Sequence, residues 1–412
     1  MTSPLKADEL VRYADAMVRT AVGLRAGDDL IVFAEPAHRE LAVALVEAGY
    51  RLSARSVEVS YVDPLVRAAR MRTAPERWLG HVTPWNVKRF REFAAATTAT
   101  LYITGEGEPN ALDGVDPARA AADATGPFRK LRWMRSESWE AGRRWGIIAW
   151  PTEPWATKVY PSLQAKNAVR RLAQDLLWFC RLGSEDPPGW KGLNDHLDIV
   201  KRRTARLSRL KLQRLELTGP GTDLSVSLPP ESIFLGGGEK NAHGIHTSPN
   251  LPTEESFTTP EAASTNGTFR CSRPLVFQGK LIEGIAGEFR NGRLVRLQAR
   301  GKNGAFFREY LGRIRNADRL GEVALVDRSS RIGQTGRVYF DTLLDENAAA
   351  HIAFGMGFDR TRRRRPGDRR ALGVNRSDTH IDVMVGTDDL EATGVAARGR
   401  RIPLIRDGAW QI

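Results

Sequence analysis

Gly321-Glu322-Val323-Ala324-Leu325-Val326, Asp345-Glu346-Asn347-Ala348-Ala349-Ala350-His351-Ile352-Ala353-Phe354-Gly355 and Asn375-Arg376-Ser377-Asp378-Thr379-His380-Ile381-Asp382 are the three blocks on which the reading of this chain turns. Side chains alternate across a strand, so His380, Asp382 and Met384 share one face while Ile381, Val383 and Val385 share the other. An apolar face can then pack on a core and leave an imidazole beside a carboxylate. Glu322 is placed in the same way, opposite Val323 and Leu325. The middle block is expected to be a short helix: Asp345 suits an N-cap, the alanines favour helix and Gly355 suits a stop. His351 would then project from a helix of small residues that leave room beside it.

Upstream, Asn250-Leu251-Pro252-Thr253-Glu254-Glu255-Ser256-Phe257-Thr258-Thr259-Pro260 adds two carboxylates in a segment bounded by prolines. Two imidazoles and three carboxylates are the donor types that hold one or two divalent ions of the zinc, cobalt or manganese kind. With Glu255, Glu322 and Asp382 ionised, such a site would hold two ions and keep a net positive charge. Paired ions can activate a water and clamp a tetrahedral intermediate.

At these residues the chain resembles the M29 metallo-aminopeptidases, the thermophilic family that includes the thermostable leucyl aminopeptidases. The matching blocks are Pro252-Thr253-Glu254-Glu255 with Phe257-Thr258, Leu320 to Val326, Asp345 to Ala348 followed by His351-Ile352-Ala353, and Asn375 with Ser377, His380 and Asp382. Weaker similarity covers nearly the whole chain, including Trp155-Ala156-Thr157-Lys158 and Gly219 to Leu224. The resemblance implies metal ligands at Glu255, Glu322, His351, His380 and Asp382. Glu322 matches the residue with both a metal and a catalytic role. Also implied are two divalent ions (zinc, cobalt, manganese or magnesium), hydrolysis of the N-terminal peptide bond of peptides through a two-metal-activated water, and a homodimer. The free amino terminus of the substrate would bind a metal or a carboxylate such as Glu254.

One position departs from the family pattern. Seven residues after the metal histidine the family has a tyrosine assigned to catalysis, and this chain has Phe358. A phenyl ring neither ligates a metal nor donates a hydrogen bond.

Composition bounds the remaining alternatives. At 412 residues the chain is too long for one ordinary core. Its 41% hydrophobic and 27% charged residues suit a soluble globular protein. The segment Met1 to Asp8 is polar with no apolar run after it, so no signal peptide is expected, and no apolar run approaches a membrane span. Cys180 and Cys271 have neither metal nor redox spacing, which fits a reducing cytoplasm. The net charge of +13 is concentrated in Asp359 to Arg370, where seven arginines face two aspartates. A block of this kind is most often a solvated loop; the functional alternative is an anion-attracting rim near the metals.

Apolar residues recur at helical spacing from Leu10 to Ala21, and Leu30-Ile31-Val32-Phe33 reads as a buried strand. The pattern continues with a helix over 38–48, a strand over 56–62, a helix over 85–96 and a strand over 100–104. This alternation predicts βαβ units with a mostly parallel sheet. No Gly-x-Gly-x-x-Gly follows a strand and no Walker loop is present, so no nucleotide site is expected. Residues 162–207 read as helical. Beyond Lys211 short strands dominate, at 212–217, 224–228 and 294–299. The expected fold is an α/β domain over 1–200, followed by a strand-rich α+β metal-binding domain over 201–412 that carries every proposed ligand.

The other histidines need a reading as well. His38, His81 and His196 are expected to be structural or exposed, and His243 and His246 to be either exposed on a glycine-flanked loop or in contact with substrate. Serine hydrolase chemistry lacks its Gly-x-Ser-x-Gly elbow. Two further functions compete with the aminopeptidase. One is a single-iron ring-cleaving dioxygenase on a related scaffold, for which three ligands would suffice. The other is a catalytically weak protein binding a polyanion, although no basic stripe interleaved with aromatics marks a nucleic-acid surface.

Overall fold

The first sheet is built from buried strands in the order the periodicity predicts. In this computed structural model, which describes residues 3–93, 95, 97–131, 142–363 and 373–412, β1 (Asp29–Ala34), β2 (Ser56–Tyr61), β3 (Thr98–Thr104), β4 (Arg144–Ala149) and β5 (Asn250–Leu251) form a sheet ordered β2-β1-β3-β4-β5. Every pairing in it is parallel. Parallel neighbours need crossovers, and helices such as Arg39–Arg51 and Pro84–Phe93 supply them. Leu30, Val32, Leu101 and Ile148 pack with Leu41 and Leu45 of the Arg39–Arg51 helix and with Met17 and Val18. The helix expected over 85–96 ends at Phe93.

The chain divides into two compact units, Met1–Leu197 with Gly238–Thr253 and Asp198–Gly237 with Glu254–Ile412. Residues Gly238–Thr253, expected in the second domain, thus lie in the first unit. The physical reason is β5, which adds to the edge of β4 by pairing Asn250 with Ile147 and Leu251 with Ile148. Leu251 is fully buried there, and nothing local in a two-residue strand announces that partner.

The second unit is strand-rich. An eight-stranded sheet runs in the order Arg293–Gln298, Ala286–Arg290, Asn266–Arg270, Thr222–Ser227, Arg214–Gly219, Glu391–Val395, Arg401–Arg406 and Ala409–Trp410. A four-stranded antiparallel sheet consists of β6 (Ser256–Thr258), β7 (Leu320–Leu325), β8 (His351–Gly355) and β9 (His380–Met384), in that order. Phe354 projects from β8 between Phe269 and Phe289 of the large sheet and Phe307 of the Gly301–Arg313 helix, with ring centroids 5.8, 6.1 and 6.3 Å away. That aromatic core holds one face of the small sheet and leaves the other face for polar groups.

The helix expected at residues 345–355 is not formed. Helix spans only Thr342–Glu346, and His351–Gly355 is an interior strand with all five residues buried. A strand covered on both faces loses polar alternation, so Ala, Ile and Phe there carry no period-2 signal. Local helix propensity of the alanines is outweighed by ladder hydrogen bonds to two neighbours and by burial of Ile352 and Phe354. Of the arginine block at 359–370, residues 364–370 lie outside the described residues.

Candidate metal centre

Strand register assembles the site. Glu322, Ala353 and Asp382 form one cross-strand row, and His351 stands between Ala324 and Met384. His380 faces Gly355. Phe257 is opposite Ala324, so it and Glu255 two residues earlier share the polar face. The small side chains Ala353 and Gly355 leave space among the ionisable groups. A Cβ on Gly355, at φ +97°, would meet the Thr379 carbonyl oxygen at 2.2 Å, so glycine is required opposite His380.

Glu322 reaches that face through an irregularity. Leu320 pairs with Phe354 on the apolar face, yet Glu322 pairs with Ala353 on the polar one, and the register shifts between them. In a regular strand residues 320 and 322 would share a face; a bulge at Gly321 switches sides. A Cβ at Gly321 would lie 2.1 Å from the Met356 carbonyl oxygen.

The resulting geometry is two triads with one shared member. Glu255, Glu322 and His351 converge, as do Glu322, His380 and Asp382, with ligand-type atoms within 4.8 Å in each group. Glu322 divides its oxygens: Oε1 lies 3.7 Å from His351 Nε2, and Oε2 lies 3.3 Å from His380 Nε2. Glu255 Oε2 is 3.3 Å from His351 Nε2, and Asp382 Oδ1 is 3.3 Å from His380 Nε2. The structure therefore brings together all five residues expected as ligands. His380 and Asp382 keep 18% and 13% of their side-chain surface exposed, so the cluster opens on their side.

Backbone carbonyls orient both rings. His380 Nδ1 is 2.7 Å from the Met356 oxygen, and His351 Nδ1 is 3.3 Å from the Ala349 oxygen. A carbonyl only accepts, so each Nδ1 carries a proton, and each Nε2 donates to the facing carboxylates when the ring is charged or offers its lone pair to a cation when the ring is neutral.

A sixth group joins the cluster without having been singled out as a ligand. Glu346, at the end of the Thr342–Glu346 helix, is buried, and burial followed by the charges of Asp382 and Glu255 pushes its carboxyl well above the usual range. Its sequence signal was present, five residues before His351, but the expected helix extending to His351 obscured which side it would face. Asn347 positions this corner: its Oδ1 accepts from the Glu254 N–H at 2.7 Å, and its Nδ2 donates to the Leu343 carbonyl at 2.8 Å.

The electrostatics describe a site that needs cations. Burial raises Glu255. Burial also opposes ionisation of Glu322, but hydrogen bonds from His351 and His380 outweigh it and hold Glu322 down at about 2. Burial disfavours both imidazolium forms, yet the facing carboxylates push His351 and His380 well above the usual histidine range. Four carboxylates of this kind stay ionised in a poorly hydrated site only against compensating positive charge. Carboxylate oxygens and oriented imidazole nitrogens are a donor set that divalent metals satisfy.

Comparison with known proteins identifies the lineage. The family model for thermophilic metalloproteases, M29, matches residues 6–410. The chain belongs to the M29 family. Aminopeptidase T of Thermus aquaticus is 33% identical over 408 residues, covering 98% of this chain and 99% of that protein. Aminopeptidase 2 of Geobacillus stearothermophilus is 31% identical over 98% of this chain and 97% of its own length. The solved structure of wild-type AmpT from Thermus thermophilus superposes with a TM-score of 0.86 at 31% identity, covering 98% of this chain and 99% of that one.

Other residues of this M29 chain fall as follows. Glu254 is buried, and Arg203, whose pKa is lowered by burial, feels the charges of Asp327 and Glu254. His243 and His246 belong to the first unit, with the His243 N–H donating to Asn241 Oδ1 at 2.9 Å and His246 in a short strand paired to Glu239–Lys240. His38 is fully buried between the Glu35 N–H and the Gly105 carbonyl, which suits a structural role. Phe358 packs its ring 5.0 Å from that of His380 and 5.9 Å from that of Phe257.

Proposed function

We propose that this M29 chain is a two-metal aminopeptidase in which Glu255, Glu322, His351, His380 and Asp382 would hold the ions. Metal-dependent aminopeptidase activity rests on the family and on full-length relatives that carry aminopeptidase names. Those relatives do not favour the dioxygenase alternative. The two-ion reading rests on one observation above all: Glu322 turns one carboxylate oxygen toward each imidazole. Glu255 and His351 would hold one ion, His380 and Asp382 the other, with Glu346 contributing.

Bound divalent ions supply Lewis-acid polarisation of the scissile carbonyl and activation of water. Glu322, with an oxygen toward each imidazole, would be placed to orient that water and to carry a proton from it to the leaving amine. The Nδ1 contacts of His351 and His380 keep both Nε2 atoms aimed inward throughout. Glu254 receives the substrate's α-ammonium group, a role consistent with its burial beside Glu255; Glu254→Gln should raise KM more than it lowers kcat, and the reverse pattern would count against it.

A homodimer and a cytoplasmic location complete the proposal. The free state of Cys180 and Cys271 suits a reducing compartment. Among the described residues no helix is long and apolar enough to cross a membrane.

The test is release of N-terminal residues from unblocked peptides by protein stripped with chelator and reloaded separately with zinc, cobalt, manganese or magnesium. Metal-restored cleavage that disappears when the peptide is N-acetylated is expected. Absence of release with every metal, in protein shown to bind two ions, would overturn the reading.

A further inference from the structure

The net charge of +13 has no use in a centre built of carboxylates, and two stretches of the second unit bring part of it together. Residues 199–214 carry seven lysines and arginines and residues 392–406 carry four arginines, with no aspartate or glutamate in either. In the Lys191–Arg209 helix, Arg202, Arg206 and Arg209 recur at helical spacing and stand exposed, while Val200, Thr204 and Leu207 are buried on the opposite side. The chain then passes through Lys211, exposed at φ +49°, into strand Arg214–Gly219. The second stretch forms the tip of the hairpin between strands Glu391–Val395 and Arg401–Arg406, where Arg398, at φ +60°, and Arg400 are exposed. Register joins the two. Val395 pairs with both Arg214 and Arg401, the Gln213 N–H donates to the Val395 carbonyl at 2.8 Å, and a Cβ on Gly394 would meet the Leu212 side chain at 2.7 Å.

Glu216 is the acid that reaches this group, and it is taken up by Arg214 and Arg401. Among the described residues, the side chains of Arg202, Arg206, Arg209, Lys211, Arg398 and Arg400 have no hydrogen-bond or ion-pair partner. The dipole of a helix favours cations at its C-terminus, which accounts for Arg206 and Arg209 taken singly. It does not account for the hairpin, which adds two more arginines beside them, one in a conformation that residues other than glycine rarely adopt. Like charges gathered in this way repel one another until an anion covers them.

We propose that the helix stripe and the hairpin tip form a docking surface for structured RNA, held by its phosphate backbone through residues that take no part in the metal centre. The inference does not depend on the aminopeptidase reading. Guanidinium groups present planar forks to phosphate oxygens, and Arg202 to Arg209 cover roughly 10 Å along the helix, enough to meet successive phosphates. Neither stretch contains Phe, Tyr or Trp, and Ile199 is the one exposed large apolar side chain in them. Lipid therefore finds little apolar anchorage and unpaired bases find no stacking platform. A duplex, with its regular array of phosphates, is the polyanion that charge alone can hold. In the cytoplasm proposed for this chain, that duplex is RNA.

The test titrates full-length protein against a fluorescein-labelled RNA hairpin, a DNA duplex of the same sequence, poly-glutamate, and phosphatidylglycerol-containing vesicles, at salt from about 50 to about 200 mM. Three variants are compared with wild type: the helix triple Arg202→Gln, Arg206→Gln, Arg209→Gln; the hairpin double Arg398→Asn, Arg400→Gln; and a control triple, Lys166→Gln, Arg170→Gln, Lys302→Gln, which removes exposed cations elsewhere. Expected is RNA binding at about 150 mM salt that weakens about ten-fold or more in the helix triple and in the hairpin double, and by less than about two-fold in the control. The helix triple should also lower the slope of log Kd against log salt by about two to three. Equal loss in the control triple would mean that net charge alone attracts RNA, and would overturn the surface. Absence of RNA binding at about 150 mM salt, or tighter binding of DNA, poly-glutamate or vesicles than of RNA, overturns the RNA assignment. Circular dichroism checks each fold, and if the helix triple fails that check, the hairpin double, which leaves the helix untouched, decides the outcome.

Discussion

Glu322→Gln is expected to lower kcat/KM by roughly a thousand-fold or more. The variant keeps the shape of the side chain and both of its places beside His351 and His380. It loses the charge that would balance two ions and the basic oxygen that would accept a proton. Metal content, measured alongside, separates these losses. Two ions retained with activity gone assigns the proton-transfer role, whereas a drop to one ion assigns the shared-ligand role. Activity within ten-fold of wild type would remove Glu322 from the centre of the mechanism.

Phe358→Tyr is expected to raise kcat by about ten- to a hundred-fold, a gain in an enzyme that otherwise loses from almost any change near its centre. Loss of one oxyanion donor typically costs about a hundred- to a thousand-fold, so restoring a hydroxyl should recover a large part of that range. The ring is already oriented beside His380, with its backbone held by Thr259 and Thr361, so the new oxygen would enter a fixed frame. Steady-state kinetics on a good peptide, with metal content confirmed, reads the result. An unchanged or lower kcat would mean that another donor already occupies the place of the missing hydroxyl, and that the phenyl ring serves the aromatic contacts of Arg360 instead.

Much of this protein was legible before any coordinates. Alternation in His380-Ile381-Asp382-Val383-Met384 correctly assigned an imidazole and a carboxylate to one face of a strand, because that strand is apolar on one side and polar on the other. The spacing of strands and helices before residue 104 correctly implied a parallel sheet, since short parallel neighbours require helical crossovers. Residue types alone pointed to a divalent metal site, because few other tasks call for so many carboxylates near two histidines.

What local pattern could not decide was pairing over long distances. His351 looked helical because the alanines before it are good helix formers, and only burial between β7 and β9 makes it a strand. The face switch at Gly321, the return of Asn250–Leu251 to the first sheet and the entry of Glu346 into the cluster all depend on partners far away in sequence. The sequence by itself determined the candidate donor types and the fold class, which follow from residue types and local period, while its resemblance to the M29 family implied the ligand set and the chemistry. Tertiary structure alone decided which donors meet, how Glu322 is divided between two imidazoles and that Arg360 stands on the aromatic wall beside His380. Those contacts join segments tens of residues apart, and the free energy that selects them comes from packing the whole unit rather than from any one stretch of chain.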